Sequence, residues 1–295
     1  MSITTETLRQ RVQSIMPDLE IRQLEVNKEG LINDVVIVNG AHVFRFAKKK
    51  EYASTLDAEA RILDLIRSRV GVDVPAPIFR SDDCMVYPLL DGEPLLLEQM
   101  AAMDAGTVAK VAQDLGEFLF KLHTTDLSHS ESELPPTLAP VTRERWLDIY
   151  PRIKKTVYPL LWKHQVAWAE RVFNGMLDDP QFFDYKPALV HGDLRPYHIL
   201  IDSQSTKITG VIDFGVAGVG DPASDFGTLI NTYGESLVNK MKGSYPDLEK
   251  YMPRARFYAQ SIELHWVLLG VEWGENCWFI AHLGCARDVH LQRVT

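Results

Sequence analysis

The chain has 295 residues, 46 % of them apolar and 24 % charged, as in ordinary globular proteins. Its net charge of −9 argues against gripping a nucleic-acid backbone through bulk positive charge, yet leaves room for a local positive site that holds a phosphate-bearing small ligand. Cys84, Cys277 and Cys285 form neither a disulfide framework nor a CxxC zinc site, and neither a secretory signal nor an apolar run of ~18 residues is present, so a cytoplasmic protein that engages no membrane is expected.

In chain order, residues 5–16 read as a helix that ends before Pro17. Three short β-like runs follow, at 21–26, 34–38 and 42–46, and Asn39-Gly40 between the last two is a strong two-residue hairpin signal. Residues 54–69 form an amphipathic helix with Ala58, Ile62, Leu65 and Ile66 on one face. Val74-Pro-Ala-Pro77 ends it and leads into a short strand; residues 84–87 form another, closed by the turn at Asp91-Gly92. Beyond Gly92 the character changes. Residues 95–103 and 106–123 read as helices, 142–178 carry one long helical pattern rich in Trp and Tyr, 188–212 are β-rich, and helices run from there to the end. The expectation is an α+β, two-lobed chain: a β-rich lobe over residues 1–91 and a mainly helical lobe over 92–295.

The segment 188–226 concentrates the chemistry, with Asp193 after Ala-Leu-Val and Asp213 after Thr-Gly-Val-Ile. Between them lies a hairpin, 198–201 and 207–212, which brings its two ends together. Two carboxylates meeting at strand ends suit a hard cation such as Mg²⁺, which takes oxygen ligands and keeps sites for phosphate oxygens. A second carboxylate off the metal can orient a hydroxyl nucleophile and accept its proton.

This pattern resembles the kinase-like phosphotransferases. His191-Gly-Asp193-Leu-Arg-Pro-Tyr-His198 is similar to the HxDxxxxN catalytic loop, Val211-Ile-Asp213-Phe-Gly215 to the DFG-type metal motif, and Asp221-Pro-Ala-Ser-Asp225-Phe to the DPxxD element of antibiotic kinases. The resemblance covers essentially the whole chain. It is closest to the macrolide 2′-phosphotransferases, through the Ala58-Glu-Ala-Arg-Ile-Leu-Asp-Leu-Ile66 helix, the Met85-Val-Tyr-Pro-Leu-Leu90 strand and the style of 188–226, and it extends to the aminoglycoside 2″-phosphotransferases. It implies a bilobal protein-kinase-like fold, with nucleotide bound by the first lobe and acceptor by the second.

The resemblance also implies roles. Asp193 positions the acceptor hydroxyl, and Asp213 binds Mg²⁺ on the nucleotide phosphates. His198 stands where protein kinases carry a metal-binding Asn, and either binds the metal, holds a metal-bound water or orients Asp193. His191 braces the backbone of the two acidic loops. Arg45 stands where most kinases have Lys, gripping the α- and β-phosphates with Glu59 as its partner. Gly30 lies in the loop that covers the triphosphate. Pro88 and Leu90 present hinge backbone groups to the base, and Tyr87 lines the back of the base pocket. If Tyr87 fills that pocket, GTP is used at least as well as ATP.

On the acceptor side, Trp273 and Trp278 are candidate wall residues, and Glu275 or Asp221 a candidate partner for one ammonium group; loop bracing is the competing role for Asp221 and Asp225. The reading is a monomeric enzyme transferring the γ-phosphate of GTP or ATP to a small-molecule antibiotic, a macrolide at the 2′-hydroxyl of its amino sugar, so conferring resistance. The alternatives are an aminoglycoside phosphotransferase, a homoserine, choline or sugar kinase, and an inactive nucleotide-binding regulator. Only seven residues separate Asp213 from Asp221, too few for the activation segment of a protein kinase.

Overall fold

Residues 4–27, 32–49, 53–128 and 134–274 are described by the structure, a computed structural model. Helix α1 (Thr5–Ile15) starts where the Thr4 hydroxyl accepts the Thr7 N–H at 3.1 Å, a side-chain N-cap. Its buried residues Leu8 and Val12 cover one face of a five-stranded antiparallel sheet built from β1 (Leu24–Asn27), β2 (Asn33–Val38), β3 (His42–Ala47), β4 (Phe79–Ser81) and β5 (Cys84–Pro88), in the order β1-β2-β3-β5-β4. Alternation along the strands sends Phe44, Phe46, Cys84 and Val86 to the α1 side. It sends Val43, Met85 and Tyr87 to the other, against α2 (Ala53–Ile66) through Leu56, Ile62 and Leu63.

The β2–β3 hairpin turns at Asn39 and Gly40, whose φ values of 55° and 61° are those a type I′ turn requires. β1 begins at Leu24, not at residue 21 as the apolar run predicts. The reason is Asn39: its side chain accepts the N–H groups of Arg22 and Gln23, both at 2.9 Å, and donates to Glu20 O at 2.7 Å. That captures the backbone of 20–23 outside the ladder.

After β5 the chain passes into β6 (Glu93–Pro94), which pairs with the later hairpin and so displaces the expected helix start at 95 to α3 (Leu97–Ala102). Helix α4 (Ala105–His123) follows, capped by the Asp104 carboxylate on the N–H groups of Gly106 and Thr107. The expected long helix over 142–178 is two helices, α5 (Arg143–Thr156) and α6 (Lys163–Phe173). A 3₁₀ turn at Tyr158–Leu160 separates them, because Pro159 has no N–H to continue an α-helical ladder.

Strand β7 (Ala188–Val190) pairs with β10 (Gly218–Gly220), while β8 (Ile199–Ile201) and β9 (Ile208–Val211) form the predicted hairpin and join β6 in a three-stranded sheet. Helices α7 (Ala223–Tyr233), α8 (Glu235–Asn239) and α9 (Leu248–Trp273) complete the helical lobe, with the fully buried Trp146 and Phe226 among its largest core side chains. Among the described residues no helix is long and apolar enough to cross a membrane.

Candidate active site

The loop leaving β7 carries His191, Gly192 and Asp193. Gly192, at φ 80°, makes the exit from the strand, and a Cβ there would meet the Thr137 hydroxyl oxygen at 2.8 Å and the Val216 carbonyl oxygen at 3.2 Å. His191 is fully buried. It accepts the Asp193 N–H on Nδ1 at 3.2 Å, so its proton lies on Nε2, which donates to Ile212 O at 3.0 Å. One imidazole thereby joins the two acidic loops, and burial lowers its pKa towards the neutral form.

Asp225 holds the same loop from α7, accepting the N–H groups of His191 at 2.9 Å and Gly192 at 2.7 Å. His123 of α4 stands between Asp225, at 3.0 Å, and the Tyr245 hydroxyl, at 2.9 Å. Burial works against the Asp225 charge, but these donors hold its pKa below the usual carboxylate value.

Asp221 does not belong to the acceptor surface, which corrects the expected amine-binding role. It is fully buried and accepts from Arg254 Nε at 2.6 Å, Arg254 Nη2 at 3.2 Å, the Tyr258 hydroxyl at 3.0 Å and the Ala223 N–H at 3.0 Å. An ion pair this enclosed is spent on holding α7 against α9.

Asp193 and Asp213 face each other across His198. His198 Nδ1 donates to Asp193 O at 2.7 Å, which puts the ring proton there, and lies 3.8 Å from Asp193 Oδ2. Its Nε2 lies 3.4 Å from Asp213 Oδ2. Asp193 Oδ1 is taken by Arg195 Nε at 2.9 Å, which leaves Oδ2 as the oxygen that Arg195 Nε does not engage.

Asp213 adopts φ 63°, a left-handed conformation in a residue that is not glycine, following β9. Its carboxylate meets Arg45 Nη2 at 2.9 Å, and Arg45 Nη1 meets Glu59 at 2.5 Å. Glu59 Oε1 also accepts the Phe214 N–H at 3.2 Å, which ties α2 to the loop that follows β9. Burial pushes the Glu59 carboxyl up and Arg45 opposes it; burial likewise disfavours the Asp213 charge, but Arg45 and His198 overcome it and hold Asp213 at about 2. Arg45 thus lies between two carboxylates and stays charged inside the sheet.

Tyr87 is buried beside Arg45 with its hydroxyl on the guanidinium, and burial raises its phenol. Leu89 donates its N–H to Ala41 O at 2.8 Å.

The donor set fits Mg²⁺ in one manner. Asp213 is a hard oxygen ligand with 44 % of its side chain exposed, while His198 offers Nε2, which suits a metal-bound water better than the ion itself. Among the described residues no cluster of three or more His, Cys, Asp or Glu forms an all-protein metal cage.

On the far side of Asp193, the Arg195 guanidinium lies 4.9 Å from the centre of the Trp266 ring of α9. Glu263, one turn earlier on α9, acts electrostatically on Arg195 and accepts a hydrogen bond from Asn231 of α7. Trp273 ends α9 and is 53 % exposed. It lies seven residues beyond Trp266, hence on the same helix face about 10 Å further along. Gly30, Glu275 and Trp278 lie outside the described residues. Arg195, Arg254, His123 and Trp266 carry parts of this site that motif reading missed; the Trp266–Trp273 heptad spacing was the one local signal for the aromatic face.

Residues 23–258 match the phosphotransferase enzyme family, and the chain belongs to it. It is 30 % identical over 215 residues to an uncharacterised protein of Bacillus subtilis strain 168, covering 69 % of this chain and 67 % of that one. It is 26 % identical over 252 residues to viomycin phosphotransferase of Streptomyces vinaceus, covering 80 % and 82 %. A solved aminoglycoside 2″-phosphotransferase of type IIIa, in complex with GDP and kanamycin, superposes with a TM-score of 0.83 at 25 % identity, covering 94 % and 96 % of the two chains. A macrolide 2′-phosphotransferase of type I shares the fold, with a TM-score of 0.71 at 21 % identity over 96 % and 97 %. The protein is therefore a phosphotransferase of kinase-like fold whose relatives include antibiotic kinases.

Proposed function

We propose that this phosphotransferase moves the γ-phosphoryl group of GTP to the 2′-hydroxyl of a macrolide amino sugar. The observation that carries the acceptor class is the fate of the acids around Asp193. Asp221 and Asp225 are buried and fully engaged, while among the described residues Glu263, partly exposed and hydrogen-bonded by Asn231, stands one turn from Trp266 on α9. One carboxylate and an aromatic face match an acceptor with one ammonium and a broad apolar ring. Trp273 extends the same face; Glu275 and Trp278 follow it in the chain as further candidates.

In the reaction Asp193 Oδ2 orients the acceptor hydroxyl and takes its proton as the hydroxyl oxygen bonds to the γ-phosphorus and the bond to the β,γ-bridging oxygen breaks, releasing GDP. Arg45, steadied by Glu59, holds the α- and β-phosphates. Asp213, with His198 on its solvent ligands, would hold Mg²⁺, which neutralises phosphate charge. Tyr87, buried beside Arg45, supports the GTP preference: a ring of that size at the back of the base pocket would obstruct adenine in its usual register, whereas guanine would pair through its own edge with the hinge.

An aminoglycoside acceptor is the second reading, favoured by the kanamycin-bound neighbour. Incubation with GTP, Mg²⁺ and either erythromycin or kanamycin, followed by mass spectrometry, separates the two. One phosphoryl group added to erythromycin alone is expected. Addition to kanamycin alone contradicts the macrolide assignment, and addition to neither points to a metabolite acceptor.

A further inference from the structure

We infer that Tyr197 is a specificity-determining residue whose ring receives the apolar C–H face of the acceptor sugar, an inference that rests on the phosphotransfer reading above. Tyr197 lies on the 3₁₀ turn Pro196–His198, which His198 N closes on Arg195 O at 2.9 Å. With three residues per turn, successive side chains on it point about 120° apart. His198 is turned inward, 8 % exposed, and Tyr197 is turned outward, 51 % exposed.

The ring stands at the reaction centre. Its centre lies 4.8 Å from that of the His198 ring, at an interplanar angle of 88°. The two nitrogens of His198 lie 3.8 Å from Asp193 Oδ2 and 3.4 Å from Asp213 Oδ2. The charges of Arg195, Asp193 and Asp213 all act on the Tyr197 hydroxyl. A hydroxyl held by Asp193 therefore brings the sugar that carries it up to Tyr197.

Packing on His198 accounts for only part of the ring, since half of the residue still faces water. The loop does not need that contact to hold its shape, because His191 and Asp225 already fix its backbone. A tyrosine offers a stiff apolar body with a polar tip, and burying the exposed part of that body is favourable. A sugar supplies the complement, with its C–H groups on one face and its hydroxyls at the rim. Tyr197 thus adds, from the loop that carries Asp193, to the aromatic face that Trp266 and Trp273 provide from α9. The contact concerns the sugar, so it applies to a macrolide and to an aminoglycoside alike.

The test titrates erythromycin into the GDP complexes of wild type, Tyr197→Ala, Tyr197→Leu and Tyr197→Phe by calorimetry, and measures steady-state transfer from GTP with each; kanamycin replaces erythromycin if it is the antibiotic that the wild type binds. Tyr197→Ala should raise both Kd and KM for the antibiotic by about tenfold or more, with kcat falling less than KM rises. GDP affinity and Tm report nucleotide binding and folding, and should stay near wild type. Tyr197→Phe keeps the ring and should hold both constants within about threefold of wild type, with Tyr197→Leu between Phe and Ala. Should Tyr197→Ala fail to fold, the comparison of Tyr197→Leu with Tyr197→Phe decides, and equal constants in those two overturn the role of the ring. A Tyr197→Ala enzyme with wild-type Kd and KM, or one in which kcat falls while KM holds, overturns the inference and leaves phosphotransfer intact. A wild type that binds the antibiotic without phosphorylating it overturns the phosphotransfer reading instead, and the Kd comparison still decides the contact. A wild type that binds neither antibiotic overturns the sugar contact.

Discussion

Replacing Arg254 by Met should destabilise the protein without altering chemistry per folded molecule. Arg254 makes two hydrogen bonds to Asp221, whose side chain has no exposure, while its own is 13 % exposed. Removing one partner of a buried pair strands the other charge, at a cost of about 3–5 kcal/mol. Tyr258 and the Ala223 N–H still hold the stranded carboxylate, so the lower end applies, about 3 kcal/mol. For a chain of 295 residues that corresponds to a fall in Tm of roughly 5 °C. Adding Asp221→Leu should recover part of the loss, because the uncompensated charge is then gone. Thermal and urea unfolding of the two single variants and the double variant supply the measurement, with acceptor KM read on each folded enzyme. An Arg254→Met protein with unchanged Tm and a raised acceptor KM would refute the bracing role and return Asp221 to the acceptor site.

Three further outcomes follow from the same geometry. Tyr87→Ala should raise the ratio of kcat/KM for ATP to that for GTP by at least about tenfold, worth 1.4 kcal/mol, in steady-state assays with both donors; an unchanged ratio removes Tyr87 from donor selection. Burial lowers His265 from 6.5 to about 4, so the unfolded chain binds its proton more readily. Stability is then lost as pH falls from about 6.5 towards 4, by about 2 kcal/mol at pH 5, and His265→Gln should flatten the fall in Tm between pH 7.5 and pH 5 relative to wild type. Asp213→Ala should weaken Mg²⁺-dependent binding of a fluorescent GTP analogue by about tenfold or more while leaving metal-free GDP binding nearly unchanged; equal Mg²⁺-dependent affinity in the variant assigns the metal elsewhere.

Local patterns carried much of the fold and of the reacting centre. Asn39-Gly40 announced its hairpin because only a few residue types accept two successive positive φ values, and the β8–β9 hairpin was legible because its ends are both apolar runs. Asp193 and Asp213 could be paired in advance because the β8–β9 hairpin brings its two ends together, to either side of His198. Asp221 was harder to read. Its burial depends on Arg254 and Tyr258, more than thirty residues later, and no local periodicity encodes that meeting. Arg195 was overlooked for a related reason, since what distinguishes it from a loop cation is Trp266, brought over it by α9. The split between α5 and α6 was written at Pro159, but the continuous apolar pattern on both sides masked it.

The measurement that bears most directly on the central claim is transfer of ³²P from γ-labelled GTP to erythromycin in the presence of Mg²⁺, by wild type and by Asp193→Asn. The variant keeps the size of the side chain and one oxygen but has no carboxylate to take the hydroxyl proton. The account predicts labelled macrolide with wild type and a rate lower by about 10²–10⁴-fold with Asp193→Asn, at nearly unchanged affinity for GTP. Wild-type turnover in the variant would contradict the assignment of Asp193 as the base that positions the acceptor.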